Sequence, residues 1–447
     1  MSANGFPEHF RFGAATAAIQ IEGATDARGP SIWDSFSRVP GTVSDGGTPD
    51  VACDHYHRWR EDLDLMAELG IATYRFSISW PRVLPGGTGA PSREGIDFYR
   101  RLLEGLHERG IRPLATLYHW DLPQALHDRG GWPARDTASR FAEYAALVYE
   151  ELGDLVDDWI TINEPWVVSF LGHGFGTKAP GRTDWAEAIR VAHHVLLAHG
   201  LAVDALRELR GDATVGITLD LWPTEPATSS ADDEAAARRW DGAHNRWFLD
   251  PVLRGAYPDD VVRWYESRVG PFDWVLDGDL DVIGRPIDFL GVNYYSRDVV
   301  ASAPGAGTLE LARTTPSGPT TGMGWEVAPA SLHALLLRLK RDYGDLAISI
   351  TENGAAYDDP VPTNGLVEDP ERLEYLRGHL EAVRRAVADG VDVRSYFTWS
   401  LLDNFEWEHG YDKRFGIVRV DYETLERIPK RSALWYRDHI AAVRRAA

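Results

Sequence analysis

Two segments far apart in the chain each place a glutamate where an apolar, strand-like run ends and a turn begins. They are TINEP at residues 161–165 and ITENG at residues 350–354. A carboxylate just past a strand adds little to a core, but it is well placed for catalysis at the mouth of a parallel barrel, where functional side chains sit at the carboxyl ends of strands. The pair Glu164 and Glu352 therefore predicts the two-carboxyl chemistry that cleaves glycosidic bonds.

Short apolar runs and amphipathic helical stretches alternate around these segments. Eight runs have the composition of buried parallel strands, and they end near Ala14, Ser77, Tyr118, Ile162, Thr218, Val292, Ile350 and Thr398. Helical periodicity lies between them over residues 59–69, 98–109, 138–152, 186–209, 330–343 and 370–389. Eight β-then-α units predict an α/β fold, a single (β/α)8 TIM barrel that occupies residues 1–447 as one catalytic domain.

Two segments lack this periodicity and are predicted to be long loops at the C-terminal, catalytic face of the barrel. Residues 301–321, which are rich in Gly, Pro, Ser and Thr, follow the sixth strand, and residues 221–236 follow the fifth. Because no linker composition separates two halves of the chain, both segments are interpreted as rim loops rather than domain boundaries.

Whole-chain composition narrows the classes of partner and compartment. The net charge of −22 disfavours nucleic acid and anionic membranes as partners. No apolar run is long enough to cross a bilayer, the N-terminus shows no secretory signal, and Cys53 is the only cysteine. A cytoplasmic enzyme is therefore expected. The 17 Trp and 17 Tyr suit sugar binding, although a large barrel core also uses aromatic residues.

Six motifs occur in an order that resembles the family 1 glycoside hydrolases, the β-glucosidase family. They are FRFGAATAAIQIEG (10–23), YHWDLP (118–123), TINEP (161–165), GVNYY (291–295), ITENG (350–354) and WSLLDNFEW (399–407), the last continuing to RFG at 414–416. Each lies at or near the end of a predicted strand. The resemblance runs from the N-terminal region to the C-terminal helix.

The resemblance implies a retaining double displacement in which Glu352 is the nucleophile and Glu164 is the acid/base. It also implies that Arg75 and Tyr295 contact Glu352, where a cation and a hydroxyl donor would keep a carboxylate charged. Two close carboxyl groups separate their pKa values, so that one is ionised while the other keeps a proton. A bell-shaped pH–rate profile is expected.

The same resemblance implies a set of substrate-binding residues. The glycone pocket would consist of Gln20, His119, Trp120, Asn163, Asn293, Trp399, Glu406, Trp407 and Phe415, with Trp325 on the aglycone side. Trp166, Leu171 and His173 are further candidates for the aglycone channel. Core packing is the alternative role for the tryptophans and for Phe415. Glu406 favours an unphosphorylated sugar, because a carboxylate there would repel a phosphate dianion.

These residues predict an exo-acting β-glucosidase that removes terminal non-reducing β-D-glucosyl residues from short oligosaccharides or from aryl and alkyl glucosides, as in cellobiose degradation. Three alternatives stay open: a broad β-galactosidase/β-fucosidase; in a different class, a non-catalytic β-glucoside-binding barrel; and transglycosylation as the main activity. The resemblance implies no cofactor and no metal. His55 and His57 lie in a helical stretch, where residues i and i+2 do not share a face. The expected partner is a small β-glucoside, and a homo-oligomer is left open.

Overall fold

The computed structural model describes residues 5–209 and 211–446. It contains a closed barrel of eight parallel strands, which confirms the predicted (β/α)8 fold. The barrel strands are β1 (Arg11–Ala15), β2 (Thr73–Ser77), β3 (Arg112–Tyr118), β4 (Asp158–Asn163), β5 (Thr214–Asp220), β6 (Phe289–Asn293), β7 (Ile348–Asn353) and β8 (Val393–Trp399). Each strand pairs with the next along the chain, and β1 closes the barrel by pairing with β8.

Helices surround the barrel and complete each β–α unit. The long helices that follow β1 to β8 in turn are His55–Glu68, Arg93–Glu108, Asp136–Leu152, Trp185–Leu209, Ala231–Asp241, Pro329–Tyr343, Pro370–Ala388 and Arg431–Ala446. Further α-helices are Ala18–Ile21, Ile32–Ser37, Trp80–Val83, Gln124–His127, Trp247–Arg254, Asp259–Val269 and Asp279–Ile283. Thr25–Ala27 and Trp407–His409 are 3₁₀ turns, and Val167–Gly174 and Gly242–Arg246 are π-helical. Within the described ranges, no helix is both long enough and apolar enough to cross a membrane.

Strand β4 shows why these runs fold as barrel strands. All six of its residues are buried, because helices cover the outer face and the barrel interior covers the inner face. A large apolar cluster packs between strands and helices. A smaller cluster combines Leu114, Ile160, Phe289 and Phe397, from four different strands, with aromatic side chains at the mouth. This smaller cluster forms the floor of the region where the predicted site residues lie.

The two predicted rim loops are partly ordered into a small sheet. Three short strands lie outside the barrel: Thr224–Pro226, Asp298–Ser302 and Leu311–Arg313. The loop at residues 221–236 also contains the start of helix Ala231–Asp241. The prediction of loops without secondary structure was therefore wrong over these residues. The strands have only three to five residues each, which is too short for a periodicity signal in the sequence.

Candidate active site

Glu164 and Glu352 lie at the carboxyl ends of two barrel strands and line the same cavity. Glu164 directly follows β4, and Glu352 is the penultimate residue of β7. Both are buried, with 5% and 3% of their surface exposed. The cavity at the mouth of the barrel has a volume of about 710 Å³. The fold thus brings together two acidic side chains that are distant in the chain.

Glu352 is held by two strong hydrogen-bond donors. The guanidinium of Arg75, from β2, donates to Oε1, and the Tyr295 hydroxyl donates to Oε2 over 2.6 Å. Burial raises the pKa of Glu352, while the charge of Arg75 and the hydroxyl of Tyr295 lower it. Hydrogen bonds to an ionised group are stronger than neutral ones, so both donors favour the carboxylate form of Glu352.

Glu164 has a poorer set of donors. The amide Nδ2 of Asn293 donates to its Oε1 over 2.6 Å. Burial raises the pKa of Glu164 well above its usual range, and the charges of Glu352 and Asp220 raise it further. Glu164 therefore holds a proton more strongly than Glu352 does. This division suits a general acid beside an ionised nucleophile.

Two asparagines connect the surroundings of the carboxyl groups. Asn163 Oδ1 accepts hydrogen bonds from Arg75 over 2.6 Å and from Asn293 over 3.1 Å. Glu352 is in turn the strand partner of Asn293. One short network of buried side chains therefore holds both Glu164 and Glu352.

The backbone at the site is unusual in two ways. Trp120, Glu164 and Trp407 have positive φ values of 74°, 50° and 53°. Residues with a side chain rarely adopt this region, and it costs about 1–3 kcal/mol where it occurs, most often at functional sites. Gly354, just after β7, would place a Cβ 1.7 Å from the Trp399 carbonyl oxygen. Only glycine lets the two strand ends approach so closely.

An aromatic wall forms one side of the cavity. The ring centroids of Trp120 and Trp407 lie 4.4 Å apart. His119 stacks against Trp407 and Trp399, with centroid distances of 6.0 and 5.8 Å. Burial and the charge of Arg75 hold the pKa of His119 well below its usual range, so its imidazole is neutral. Such a wall suits the apolar face of a sugar ring.

Two buried oxygens beside this wall lack a hydrogen-bond partner among the described residues. They are Gln20 Oε1 and Glu406 Oε2. Buried polar atoms are normally paired, and an orphaned acceptor points to a ligand that supplies the donor. Burial raises the pKa of Glu406 to about 8, and the nearby Lys178 opposes that shift. The pattern suits a ligand rich in hydroxyl groups.

The predicted site residues fall into two layers. Those that line the cavity are Glu164, Glu352, Tyr295, His119, Trp120, Trp399, Glu406, Trp407, Phe415 and Trp325. Four further predicted residues are fully buried and lie behind the cavity lining: Arg75, Gln20, Asn163 and Asn293. They form hydrogen bonds with the lining residues or with chain neighbours of those residues. All the residues that the motifs single out thus belong to one region.

The model of the Glycosyl hydrolase family 1 matches residues 2–444. The chain belongs to glycosyl hydrolase family 1. This family 1 hydrolase is 48% identical over 444 residues to Beta-glucosidase A of Acetivibrio thermocellus, with 98% of the chain and 99% of the relative covered.

Two further similarities extend the comparison. The family 1 hydrolase is 47% identical to a bifunctional beta-D-glucosidase/beta-D-fucosidase of Bifidobacterium breve, over 98% of each chain. Its structure matches the beta-glucosidase from Thermotoga maritima in complex with deoxynojirimycin with a TM-score of 0.95 at 45% identity, covering 98% of this chain and 99% of that one. The protein is a glycoside hydrolase.

The residues predicted for an aglycone channel are confirmed only in part as lining residues of the cavity. Trp166 and Leu171 line the cavity. His173 does not line the cavity, because its ring is turned toward Glu187 and forms a 2.8 Å hydrogen bond with that carboxylate. Trp325 packs against Tyr295, with ring centroids 5.4 Å apart. The prediction for His173 was wrong because its π-helical segment carries successive side chains to different sides.

Several residues of the site were not anticipated from the sequence. Asp220, Trp222, His244 and Lys178 all line the cavity. Asp220 carried a usable signal, since it ends β5 as a carboxylate at a strand end, but the predicted strand stopped two residues too early. His244 and Lys178 belong to no strand end, so only the three-dimensional structure reveals them.

Metal ligation has no support in the geometry of the described residues. Across residues 5–209 and 211–446, no group of three or more His, Cys, Asp or Glu side chains is arranged to hold a metal ion. His55 bonds to Asp62 over 2.7 Å, and His57 bonds to Asp54 over 2.5 Å. Each of these histidines has a structural partner of its own.

Proposed function

We propose that this hydrolase is a retaining, exo-acting β-glucosidase that removes terminal non-reducing β-D-glucosyl residues from short oligosaccharides and from aryl or alkyl glucosides. The observation that carries this function is the unequal treatment of two carboxyl groups in one cavity. Glu352 accepts from a guanidinium and a phenol, whereas Glu164 accepts from an amide. The relatives named as β-glucosidases support glucose as the sugar.

In the first step, Glu352 attacks the anomeric carbon while Glu164 protonates the departing glycosidic oxygen. The bond from the anomeric carbon to the aglycone oxygen breaks, an ester bond to Glu352 forms, and the aglycone leaves as an alcohol. Arg75 and Tyr295 keep the nucleophile ionised before the attack. Glu164 supplies the proton because its carboxyl is the one that burial and neighbouring charge keep protonated.

In the second step, Glu164 changes from a general acid to a general base, because Glu352 is no longer charged. Esterification removes the negative charge of Glu352, so Glu164 ionises more readily. The Glu164 carboxylate then takes a proton from water, the water oxygen bonds to the anomeric carbon, and the ester bond breaks. Glu352 leaves as a carboxylate, Glu164 regains its proton, and the sugar is released with its original anomeric configuration.

Exo action is supported by the unequal exposure of the two ends of the cavity. The predicted glycone residues, such as Gln20 and Trp407, are buried. On the opposite side, Trp325 and Met323 are partly exposed and Phe175 is 42% exposed. A cavity that is closed at the sugar end and open at the other admits only the end of a saccharide chain.

A broader sugar specificity is the second candidate. It is favoured by the similarity to a bifunctional beta-D-glucosidase/beta-D-fucosidase. A fucosyl group lacks the 6-hydroxyl, so only part of the hydroxyl contacts near Glu406 would be made. The buried surroundings of Glu406 also disfavour a 6-phosphorylated sugar, because a phosphate dianion would lose its hydration there beside a carboxyl group. In this proposed function, residues 1–447 act as one catalytic domain, and the enzyme works in the cytoplasm.

Incubation with aryl β-glucoside, β-fucoside, β-galactoside and 6-phospho-β-glucoside tests this function. We expect turnover of the glucoside, little or none of the phosphorylated compound, and a β-anomer as the first product seen by proton NMR. Glu352→Ala should abolish turnover, while Glu423→Gln, a change at an exposed residue, should leave it intact. An α-anomer as first product, or turnover that survives Glu352→Ala, would disprove the mechanism.

A further inference from the structure

Asp220 is a third buried carboxyl group in the catalytic cavity. It ends β5, has 5% of its surface exposed and lines the cavity beside Glu164. Its strand partner is Asn293, the residue that donates to Glu164. The backbone N–H of Glu164 also bonds to the carbonyl of Thr218, two residues before Asp220. Asp220 and Glu164 are therefore held against the same strand ends.

A histidine fixes the orientation of Asp220. His244 Nε2 lies 2.8 Å from Asp220 Oδ2, and the imidazole stacks on Trp166 with centroids 3.9 Å apart and planes 12° apart. Burial lowers the pKa of His244 to about 3, so the ring is neutral and has one donor and one acceptor nitrogen. Nδ1 has no partner among the described residues. If the proton is on Nε2, that nitrogen donates to Asp220, and the only unpaired atom of the ring is Nδ1, which is then an acceptor.

We propose that Asp220 is a positioning residue of the reaction: it is a second buried carboxyl group beside Glu164 whose ionisation competes with that of Glu164, so that Glu164 keeps its proton until it donates it to the departing aglycone and accepts one from water afterwards. This role rests on the acid/base function proposed above for Glu164. Asp220 touches no reacting atom in this scheme. It acts through Glu164 by repulsion between like charges in a poorly solvated cavity.

The second step depends most on Asp220. Burial, and then the charge of Glu352, raise the pKa of Asp220 well above its usual range. Once Glu352 is esterified its charge is gone, and Asp220 ionises more readily. Asp220 then is the carboxylate that remains beside Glu164, and its repulsion makes Glu164 a stronger base toward water.

The other charged groups around Glu164 and His244 are still present when Asp220 is altered. Glu164 is faced by Glu352, which raises its pKa, and by Arg75 and Asn293, which lower it. His244 is itself influenced by the charges of Asp298, Arg313 and Asp241. A change in the pH dependence of Asp220→Asn therefore reports the loss of the Asp220 charge itself.

The test compares the isosteric change Asp220→Asn with Glu225→Gln. Glu225 lies in the same segment after β5, pairs with Arg297 and has 52% of its side chain exposed, so solvent screens its charge. The alkaline limb of kcat/KM is measured with an alkyl glucoside, whose leaving group needs protonation. The acidic limb of kcat is measured with a dinitrophenyl glucoside, for which hydrolysis of the glycosyl-enzyme limits the rate.

For Asp220→Asn we expect both limbs to move to lower pH by about one unit, because Glu164 loses its proton more readily in each state. Glu225→Gln should move neither limb. His244→Phe, which keeps a ring on Trp166 but removes the donor to Asp220, should shift both limbs in the same direction by less. Limbs that stay in place in a folded Asp220→Asn variant would overturn this role without affecting the proposed β-glucosidase activity.

A measurement on the unaltered protein covers the case in which the variant does not fold. The enzyme, labelled with ¹³C in its Asp and Glu carboxyl groups, is trapped with a 2-deoxy-2-fluoro-β-glucoside, which esterifies Glu352. We expect Glu164 and Asp220 then to titrate as a coupled pair in two steps. Independent titration of Glu164 near its ordinary pKa would refute the role of Asp220. Absence of any turnover in the unaltered enzyme would instead disprove the proposed function.

Discussion

Removing the hydroxyl group of Tyr295 is the simplest way to test what controls the ionisation of Glu352. Its hydroxyl donates to Glu352 Oε2 over 2.6 Å inside a buried pocket. Tyr295→Phe removes this donor and leaves the ring in place. Tyr294 offers a matched control, because its hydroxyl donates over the same 2.6 Å but to the neutral carbonyl of Ala328. The two variants compare the loss of a donor to a charged acceptor with the loss of a donor to a neutral one.

The expected magnitude follows from the charge on the acceptor. A hydrogen bond to an ionised group contributes about 1.5–3 kcal/mol, against about 1 kcal/mol for a neutral one. Since the phenol of Tyr295 stabilises only the ionised form of Glu352, its loss raises the pKa of Glu352 by roughly one to two units. Glu352 must be ionised to attack, so the acidic limb of kcat/KM moves to higher pH by that amount. Arg75 still pairs with Glu352 and keeps the shift from being larger.

The assay is the pH profile of kcat/KM with an aryl β-glucoside from the acidic limb to the plateau. The plateau rate is a poor measure of the ionisation of Glu352. Removing a donor also makes the ionised Glu352 a stronger nucleophile, and this gain opposes the loss that follows from weaker alignment of the carboxylate. Tyr294→Phe should lower the free energy of unfolding by about 1 kcal/mol and leave the limb in place. If the limb of Tyr295→Phe coincides with that of Tyr294→Phe, Tyr295 does not control the ionisation of Glu352 and the reasoning fails.

Three other changes test different parts of the structure. Glu164→Ala should slow hydrolysis of an alkyl glucoside far more than that of a dinitrophenyl glucoside, since a good leaving group needs little protonation; equal losses, compared by kcat/KM, would contradict its acid role. Glu406→Ala should reduce kcat/KM for glucosides by roughly 5- to 150-fold, the loss of about 1–3 kcal/mol from one buried acceptor, measured by steady-state kinetics against substrate concentration. Lys430→Met should destabilise the fold by about 3–5 kcal/mol in denaturant unfolding, because Lys430 is fully buried between two aspartates, whereas Arg431→Met, at an exposed ion pair, should cost under about 1 kcal/mol.

The barrel could be predicted from the sequence because its elements repeat one physical pattern. Every predicted strand end lies in or at the end of a barrel strand, and β4 illustrates why: a run buried on both faces must be apolar along its whole length. The small sheet at the rim could not be predicted. Thr224–Pro226 and Leu311–Arg313 are held by pairing with Asp298–Ser302, a long-range contact that leaves no local trace in the sequence.

The site was predictable where a residue type and a strand end coincide. Glu164 and Glu352 meet both conditions, and the motifs around them identify the aromatic wall. The same rule would have identified Asp220 if β5 had been extended by two residues. His244 and Lys178 reach the cavity from a π-helical segment and from a bend, so their place depends on how the rim packs rather than on any local pattern.

In the proposed mechanism, Glu164 must hold its proton for the aglycone rather than pass it to Glu352. The amides of Asn163 and Asn293 connect the groups that hold the two carboxyls. Each amide has its orientation set by a neighbour: Thr351 donates to Asn293 Oδ1 over 2.8 Å, so the Asn293 nitrogen faces Glu164.

His119 fixes the orientation of the Asn163 amide in the same way. Its neutral ring lies 3.1 Å from Asn163 Nδ2 and accepts through Nε2, so the Asn163 oxygen faces Arg75. An amide donates and accepts hydrogen bonds but does not ionise in the working pH range. A network built from amides therefore aligns the two carboxyl groups without offering a proton a path from Glu164 to Glu352. A carboxylate at either position would supply that path and would add a further negative charge beside the two carboxyl groups.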